Sequence, residues 1–255
     1  MSTIATTRAD YRGGVQVYFD GNTSETTAFA HPFQFSDDFV GAGHTAGIPL
    51  AGAPAAGYPW VKKIVGTPTG VALVTNSSGG QLACALAATL EAEEASLYFN
   101  DSLSFDTSKI SQGEWRSALS VIPTGVASAF VGIGSAWVGG PLNLARYAGF
   151  YWSASAALQI ISKDGAGNTF SFAAAQIGGA AIISDLNFHL YRIDFSNPAD
   201  VVFLVDGNRV NPVGSVVWAP GAVNGILQPW HTVYKASGTG VATLTIDKID
   251  LAGNR

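Results

Sequence analysis

His189-Leu190-Tyr191-Arg192-Ile193-Asp194-Phe195, then Val201-Val202-Phe203-Leu204-Val205 and Asp206-Gly207-Asn208-Arg209-Val210, is the stretch that decides the fold. Side chains alternate across a strand, so His189, Tyr191, Ile193 and Phe195 share one face and Arg192 and Asp194 take the other. The continuous apolar run Val201 to Val205 reads as a second strand. Asp206-Gly207-Asn208 then supplies the positive-φ residues of a tight turn that returns Arg209-Val210 antiparallel. The register of this hairpin places Tyr191, Ile193, Phe195 and Phe203 in a core, together with Leu244 from the last strand.

Working outward, Asp-Gly recurs after extended runs at Asp20-Gly21 and Asp164-Gly165, which points to hairpins and not to βαβ units. Period-two segments rich in β-branched and aromatic residues predict further strands. They are Trp60 to Val65, Val71 to Thr75, Gln81 to Leu90, Ser96 to Phe99, Trp115 to Ile122, Ala129 to Ile133, Tyr147 to Trp152, Thr169 to Ala173, Gln228 to Lys235 and Val241 to Leu251. This is an all-β pattern, expected as two packed antiparallel sheets. In the last strand Leu244 and Ile246 share one parity and Ile249 and Leu251 the other, so a β-bulge near Asp247-Lys248 is required to keep all four inside. The one helical candidate is short, around Ser108 to Ser111. The polar stretch 1–32 is expected as an N-terminal arm that orders against a partner, and 33–255 as the sandwich domain.

The chain has 255 residues, 47% hydrophobic and 12% charged, with a formal net charge of -5. Charged residues average about a quarter of a soluble protein, so this is a folding chain and not a disordered one. Its Lys and Arg are scattered singly apart from Lys62-Lys63, which excludes the clustered basic charge of nucleic-acid binding. The longest uncharged stretches are broken by prolines and Gly139-Gly140-Pro141, so no membrane span is expected. Met1 to Gly14 has no apolar core of a secretory signal, and Cys84 lies in the apolar run Leu82 to Leu86 as a small buried hydrophobe.

Constellations that carry chemistry are sparse. Glu91 and Glu93, two apart, have the spacing of a retaining glycosidase pair, whose carboxylates stand about 5 to 5.5 Å apart. Laminarinase-like hydrolases carry Glu-x-Asp-x-(x)-Glu, however, and here Ala95 and Ser96 stand where the third acid belongs, so Glu91-Ala92-Glu93-Glu94 reads as a solvated strand end. Asp164-Gly165-Ala166-Gly167-Asn168 offers too few oxygens for calcium and reads as a hairpin turn, Asp37-Asp38 as a solvated turn. His31, His44, His189 and His231 lack metal-ligand spacing, no Ser sits in a Gly-x-Ser-x-Gly elbow, and Gly132-x-Gly134 lacks the rest of a nucleotide fingerprint. Catalytic residues, cofactor and metal are therefore all expected to be none. Trp60, Trp115, Trp137, Trp152, Trp218 and Trp230 serve as core or contact fillers or, alternatively, as sugar-stacking residues of a lectin groove.

Several blocks carry a resemblance. They are Phe35-Ser36-Asp37-Asp38-Phe39, Trp60, Gly79-Gly80-Gln81-Leu82, the run from Leu90 to Phe99, Phe188 to Phe195, Val201 to Gly207, Leu227-Gln228-Pro229, and Lys235-Ala236-Ser237-Gly238-Thr239-Gly240 leading into the terminal strand. In this order they resemble the concanavalin A-like jelly-roll domains of structural proteins in tailed-bacteriophage virions. The resemblance covers about Phe35 to Leu251. It implies a virion part made in the host cytoplasm: a non-enzymatic head decoration or cement protein on the capsid surface, bound to the major capsid protein as a homo-oligomer, with a trimer favoured. Low charge, with Ala, Gly and aromatic residues expected at the surface, suits such protein contacts. The competing expectations are a tail-fibre or tailspike lectin module binding host glycans and a glycan hydrolase.

Overall fold

The computed structural model describes residues 6–12, 15–20, 26–29, 33–40, 48–52, 59–77, 79–153, 158–173, 186–221 and 225–253. In chain order the strands are β1 (Thr6–Arg12), β2 (Val15–Asp20), β3 (Thr26–Phe29), β4 (Phe33–Asp37), β5 (Val61–Val65), β6 (Gly70–Leu73), β7 (Leu82–Ala85), β8 (Glu93–Tyr98), β9 (Phe105–Asp106) and β10 (Ile110–Val121). They continue with β11 (Ser128–Gly134), β12 (Tyr147–Trp152), β13 (Leu158–Lys163), β14 (Thr169–Ala173), β15 (His189–Asp194), β16 (Val202–Val205), β17 (Asn208–Arg209), β18 (Ile226–Lys235) and β19 (Thr243–Gly253).

One sheet runs β17-β16-β15-β10-β19-β7-β6, with β4 also pairing β19; the second runs β14-β13-β12-β11-β18-β8-β5, with β9 also pairing β18. All of these pairings are antiparallel, and the result is a jelly-roll β-sandwich. Strands β1 to β3 pair among themselves in a separate three-stranded sheet.

The inner faces interdigitate as the alternation requires. Phe150 on β12 packs on Tyr191 and Phe203 of the facing sheet with ring centroids 5.0 and 5.5 Å apart, and Trp152 meets Tyr191 edge-on at 5.3 Å. Tyr191, Ile193, Phe195, Phe203, Leu244 and Cys84 are all buried. The expected bulge is present: Arg116 pairs with Lys248 and Ser117 with Ile246, so Asp247 is the extra residue and Ile246 and Ile249 both face inward.

Some expectations are corrected. Ser108 to Ser111 is not helical: Asp106 Oδ1 accepts from the Ser108 N–H and hydroxyl at 3.0 and 2.7 Å, closing a side-chain turn, and Ile110 already enters the β10 ladder. Among the described residues the one helix is the short 3₁₀ turn Pro141–Asn143. None is long and apolar enough to cross a membrane. The predicted strand Gln81 to Leu90 is paired only over Leu82–Ala85. Arg192, on the face opposite Tyr191 as the alternation places it, is buried and forms a forked ion pair with Glu114, its directly opposite neighbour on β10.

Candidate functional site

The two acids read from spacing as a pair both border Gly66, where an added Cβ would lie 3.3 Å from Glu91 Cδ and 3.2 Å from Glu93 Cγ, but their surroundings differ. Glu91 precedes β8 in an exposed turn, where its carboxylate accepts from the Thr67 N–H and hydroxyl. Glu93 points inward and is fully buried, accepting from Ala87 N at 2.9 Å and Thr89 Oγ1 at 2.5 Å and pairing with buried Lys235 at 3.2 Å. Burial would raise its pKa, but Thr89, Ala87 and Lys235 outweigh that and hold the carboxyl below its ordinary value. Glu93 is thus a strut, and the expected solvated strand end is instead buried at both Glu93 and Glu94.

Glu94, one residue on, faces the opposite side of the sheet with Ser96 and Tyr98. That outer face carries a second apolar cluster: Val61, Tyr98, Phe130, Leu144, Tyr147, Ile161 and Trp230. Glycines make room for it. A Cβ on Gly149 would lie 2.4 Å from the Phe130 ring, and one on Gly134 2.9 Å from Trp230, so Gly132-x-Gly134 serves packing. Within this layer Glu94 Oε1 accepts from Trp137 Nε1 at 2.8 Å and lies 2.5 Å from Ser96 Oγ, while Oε2 accepts from Gly140 N at 3.2 Å. Burial pushes its pKa up, against the lowering effects of Ser96, Trp137, Gly140 and Lys63. Asp101, at positive φ, accepts from Trp137 N at 2.6 Å and Gln228 Nε2 at 3.0 Å.

Beside these contacts opens a groove of about 200 Å³ lined by Val126, Ser128, Gly140, Pro141, Leu142, Asn143, Tyr151, Tyr234 and Ala236. No lining side chain is charged. Tyr151 and Tyr234 are half-buried, and the Tyr151 hydroxyl is bonded to Ser128. These residues escaped the sequence reading, although the parity of Trp230, Thr232 and Tyr234 against Val233 marks them as one outward row.

The other singled-out residues are structural. The Asp164 carboxylate is taken up by N–H donors from Ala166, Asn168 and Ala219 and by the Asn168 amide, so the loop is a hairpin turn tied to residue 219. Asp37 accepts from Trp60 Nε1 at 2.7 Å and Phe39 N at 2.8 Å, and Asp38 from Val40 N at 3.2 Å. His189 Nδ1 lies 2.6 Å from Asp206 Oδ2, and His231 is buried beside Trp60. His31 and His44 lie outside the described residues. Among the described residues no group of three His, Cys, Asp or Glu could hold a metal. Five of the six Trp are buried; Trp137 is partly exposed, with Lys63 Nζ 4.3 Å from its ring centroid. The aromatics expected at the surface fill two apolar layers instead, leaving the groove's rings to tyrosine.

The class these features define is the concanavalin A-like jelly roll, and solved structures share it. A glycoside hydrolase family 16 endo-glucanase from Bacteroides ovatus matches over 85% of this chain and 99% of its own, with a TM-score of 0.55 and 9% identity. A putative beta-glucanase from Mycobacterium abscessus matches over 85% and 98%, at 0.51 and 17%. A protein of unknown function from Shewanella oneidensis matches over 87% and 86%, at 0.55 and 12%. No family model matches the chain, and no curated protein does so by sequence. At these identities the likeness is one of fold. It nevertheless corrects the expectation of a non-enzymatic chain: the architecture is one that glycan-processing enzymes use, and a missing acid pattern in one segment is no ground for excluding catalysis.

Proposed function

We propose that this chain is a glycan-recognising jelly-roll protein whose ligand lies in the groove on the outer face of the second sheet. The observation that carries this is the lining: two half-buried tyrosine rings beside Ser128 and Asn143, with no charged side chain. Apolar ring faces suit the C–H faces of a sugar ring, while phenol, hydroxyl and amide groups suit its hydroxyls. Oligosaccharide titration of the chain and of Tyr234→Ala tests it. The expected result is saturable binding, weakened about 10-fold or more by loss of one stacking ring, an effect of roughly 1.4 kcal/mol. Binding unaffected by Tyr234→Ala and Tyr151→Ala overturns it. The same samples, followed for new reducing ends, report whether bound glycan is cleaved.

The virion setting enters as part of this reading on the strength of the sequence blocks, of which Val201 to Gly207 covers β16 and its turn into β17 and Ser237 to Gly240 falls on the β18–β19 connection. On that reading the chain is displayed on a phage particle as a homo-oligomer held by the major capsid protein. Particle binding by a chain beginning at Phe33, with its mass in solution, tests this. Undiminished binding dismisses the arm, and a monomer both in solution and on the particle dismisses the oligomer.

A further inference from the structure

The β11–β12 connection, residues 135–146, forms one wall of the groove through Gly140, Pro141, Leu142 and Asn143, and its Leu144 closes over the outer aromatic layer. Gln228 on Ser135 O, Lys163 on Leu144 O and two acidic side chains hold it. Both Glu94 oxygens accept from it, at Trp137 Nε1 and Gly140 N, and Asp101 holds the Trp137 N–H. A buried carboxylate is a costly way to join two elements, because an apolar side chain of similar size does so without desolvating a charge. Below the connection lie Tyr98, Phe130, Tyr147 and Trp230, on the face that carries Tyr151 and Tyr234.

We infer that residues 135–146 are a strap latched by Glu94 and Asp101, and that its release uncovers the aromatic layer and extends the groove to a longer ligand. The extended-ligand part rests on the glycan reading; the strap itself does not. Glu94 is faced by Lys63 from β5, Ser96 and Tyr98 from its own strand, Thr232 through the Ser96 hydroxyl at 2.6 Å, and Trp137 and Gly140 from the strap. Burial favours the protonated form in the closed state, whereas an opened strap returns Glu94 to water. The closed state therefore binds the proton more tightly, and opening becomes easier as pH rises through and above the ordinary carboxylate range.

Amide hydrogen exchange of the intact chain without ligand, corrected for the pH dependence of the exchange chemistry, decides the strap. The Trp137, Gly140 and Asn143 amides are expected to open well before those of the β11–β18 ladder, and more readily at about pH 7 than at about pH 4. Glu94→Gln offers one carbonyl to two donors and has no charge to titrate. It is expected to remove the pH dependence of strap exchange, with the ladder amides unchanged. Trp137→Phe, which leaves Glu94 in place but removes one of its strap donors, is expected to speed strap exchange about tenfold or more. Strap amides that exchange with the ladder in all three proteins overturn the inference. Neutral oligosaccharides of increasing length test the second part: Trp137→Phe is expected to favour longer over shorter chains, and an unchanged length preference overturns the extension. If no oligosaccharide binds any variant, the glycan reading fails and the exchange result still decides the strap.

Discussion

Gly149 and Gly132 face each other across β11 and β12, and a single methyl group at either meets backbone: Val131 O at 2.5 Å from a Cβ on Gly149, Ala148 O at 2.3 Å from one on Gly132. Gly149→Ala is therefore expected to cost about 1–3 kcal/mol, read as a lower urea midpoint at unchanged slope. Lys235 poses the opposite problem. Its ammonium donates to Ala87 O at 2.6 Å and Thr89 O at 2.7 Å beside Glu93, so Lys235→Met strands a buried carboxylate and two carbonyls. The expected loss is about 3–5 kcal/mol, with Glu93→Gln/Lys235→Met less damaging than the single change because it removes the orphaned charge. A double variant worse than Lys235→Met would show that the bonds Glu93 accepts from Ala87 and Thr89 outweigh the cost of its unpaired charge.

At the scale of elements, the β15–β16 hairpin and the bulged β19 hold the first sheet to the core. Phe203 pairs with Ile193 across the hairpin and packs under Phe150, so Phe203→Ala is expected to cost about 3–5 kcal/mol in chemical denaturation. A near-neutral result would place Phe203 outside the cooperative core. The bulge tests parity directly. Removing Asp247 leaves Ile246 and Ile249 two apart, so regular alternation keeps Ile249 and Leu251 inward without a bulge. A retained β spectrum in far-UV circular dichroism is the expected outcome; loss of the folded spectrum would mean that the bulge shapes the sheet beyond setting its parity.

For the whole molecule, the acid side of the stability curve opens with His231, buried on the second sheet. Burial, opposed in part by the Leu97 backbone, drops the His231 pKa to about 3. The unfolded chain takes up that proton near about pH 6.5, so it binds more protons than the folded chain in between. The stability from neutral His231 is present above that value and is lost as pH falls toward 3, by several kcal/mol at roughly 1.4 kcal/mol per pH unit. Glu93, Asp164 and Asp200, all held below their ordinary values, add losses further into acid; Glu94 and Asp250, raised by burial, act in the opposite sense as pH rises through the carboxylate range. Urea midpoints are expected to fall on acidification from about pH 6.5, and His231→Gln is expected to flatten that slope between about pH 6.5 and pH 5. An unchanged slope would assign the loss to other groups.

What the sequence determined by itself is what alternation determines: the 189–210 hairpin, the inward set Tyr191, Ile193 and Phe203, and a bulge at Asp247 forced by the parity of four aliphatic residues. Period-two patterning is local, and a one-residue slip exposes a whole apolar row, so these features can be read along the chain. Only the tertiary structure decided the site. Glu93 and Glu94 look alike in sequence, but one lies against Lys235 inside the sandwich and the other against Trp137 and Gly140 on its outer face. Tyr151 and Tyr234 reach one groove from different strands, across β11, which pairs with both β12 and β18. Whether a carboxylate is solvated, a strut or a latch depends on partners brought to it by sheet pairing and connections. Those long-range neighbours set its desolvation and hydrogen bonding, and acid spacing within one segment carries no information about them.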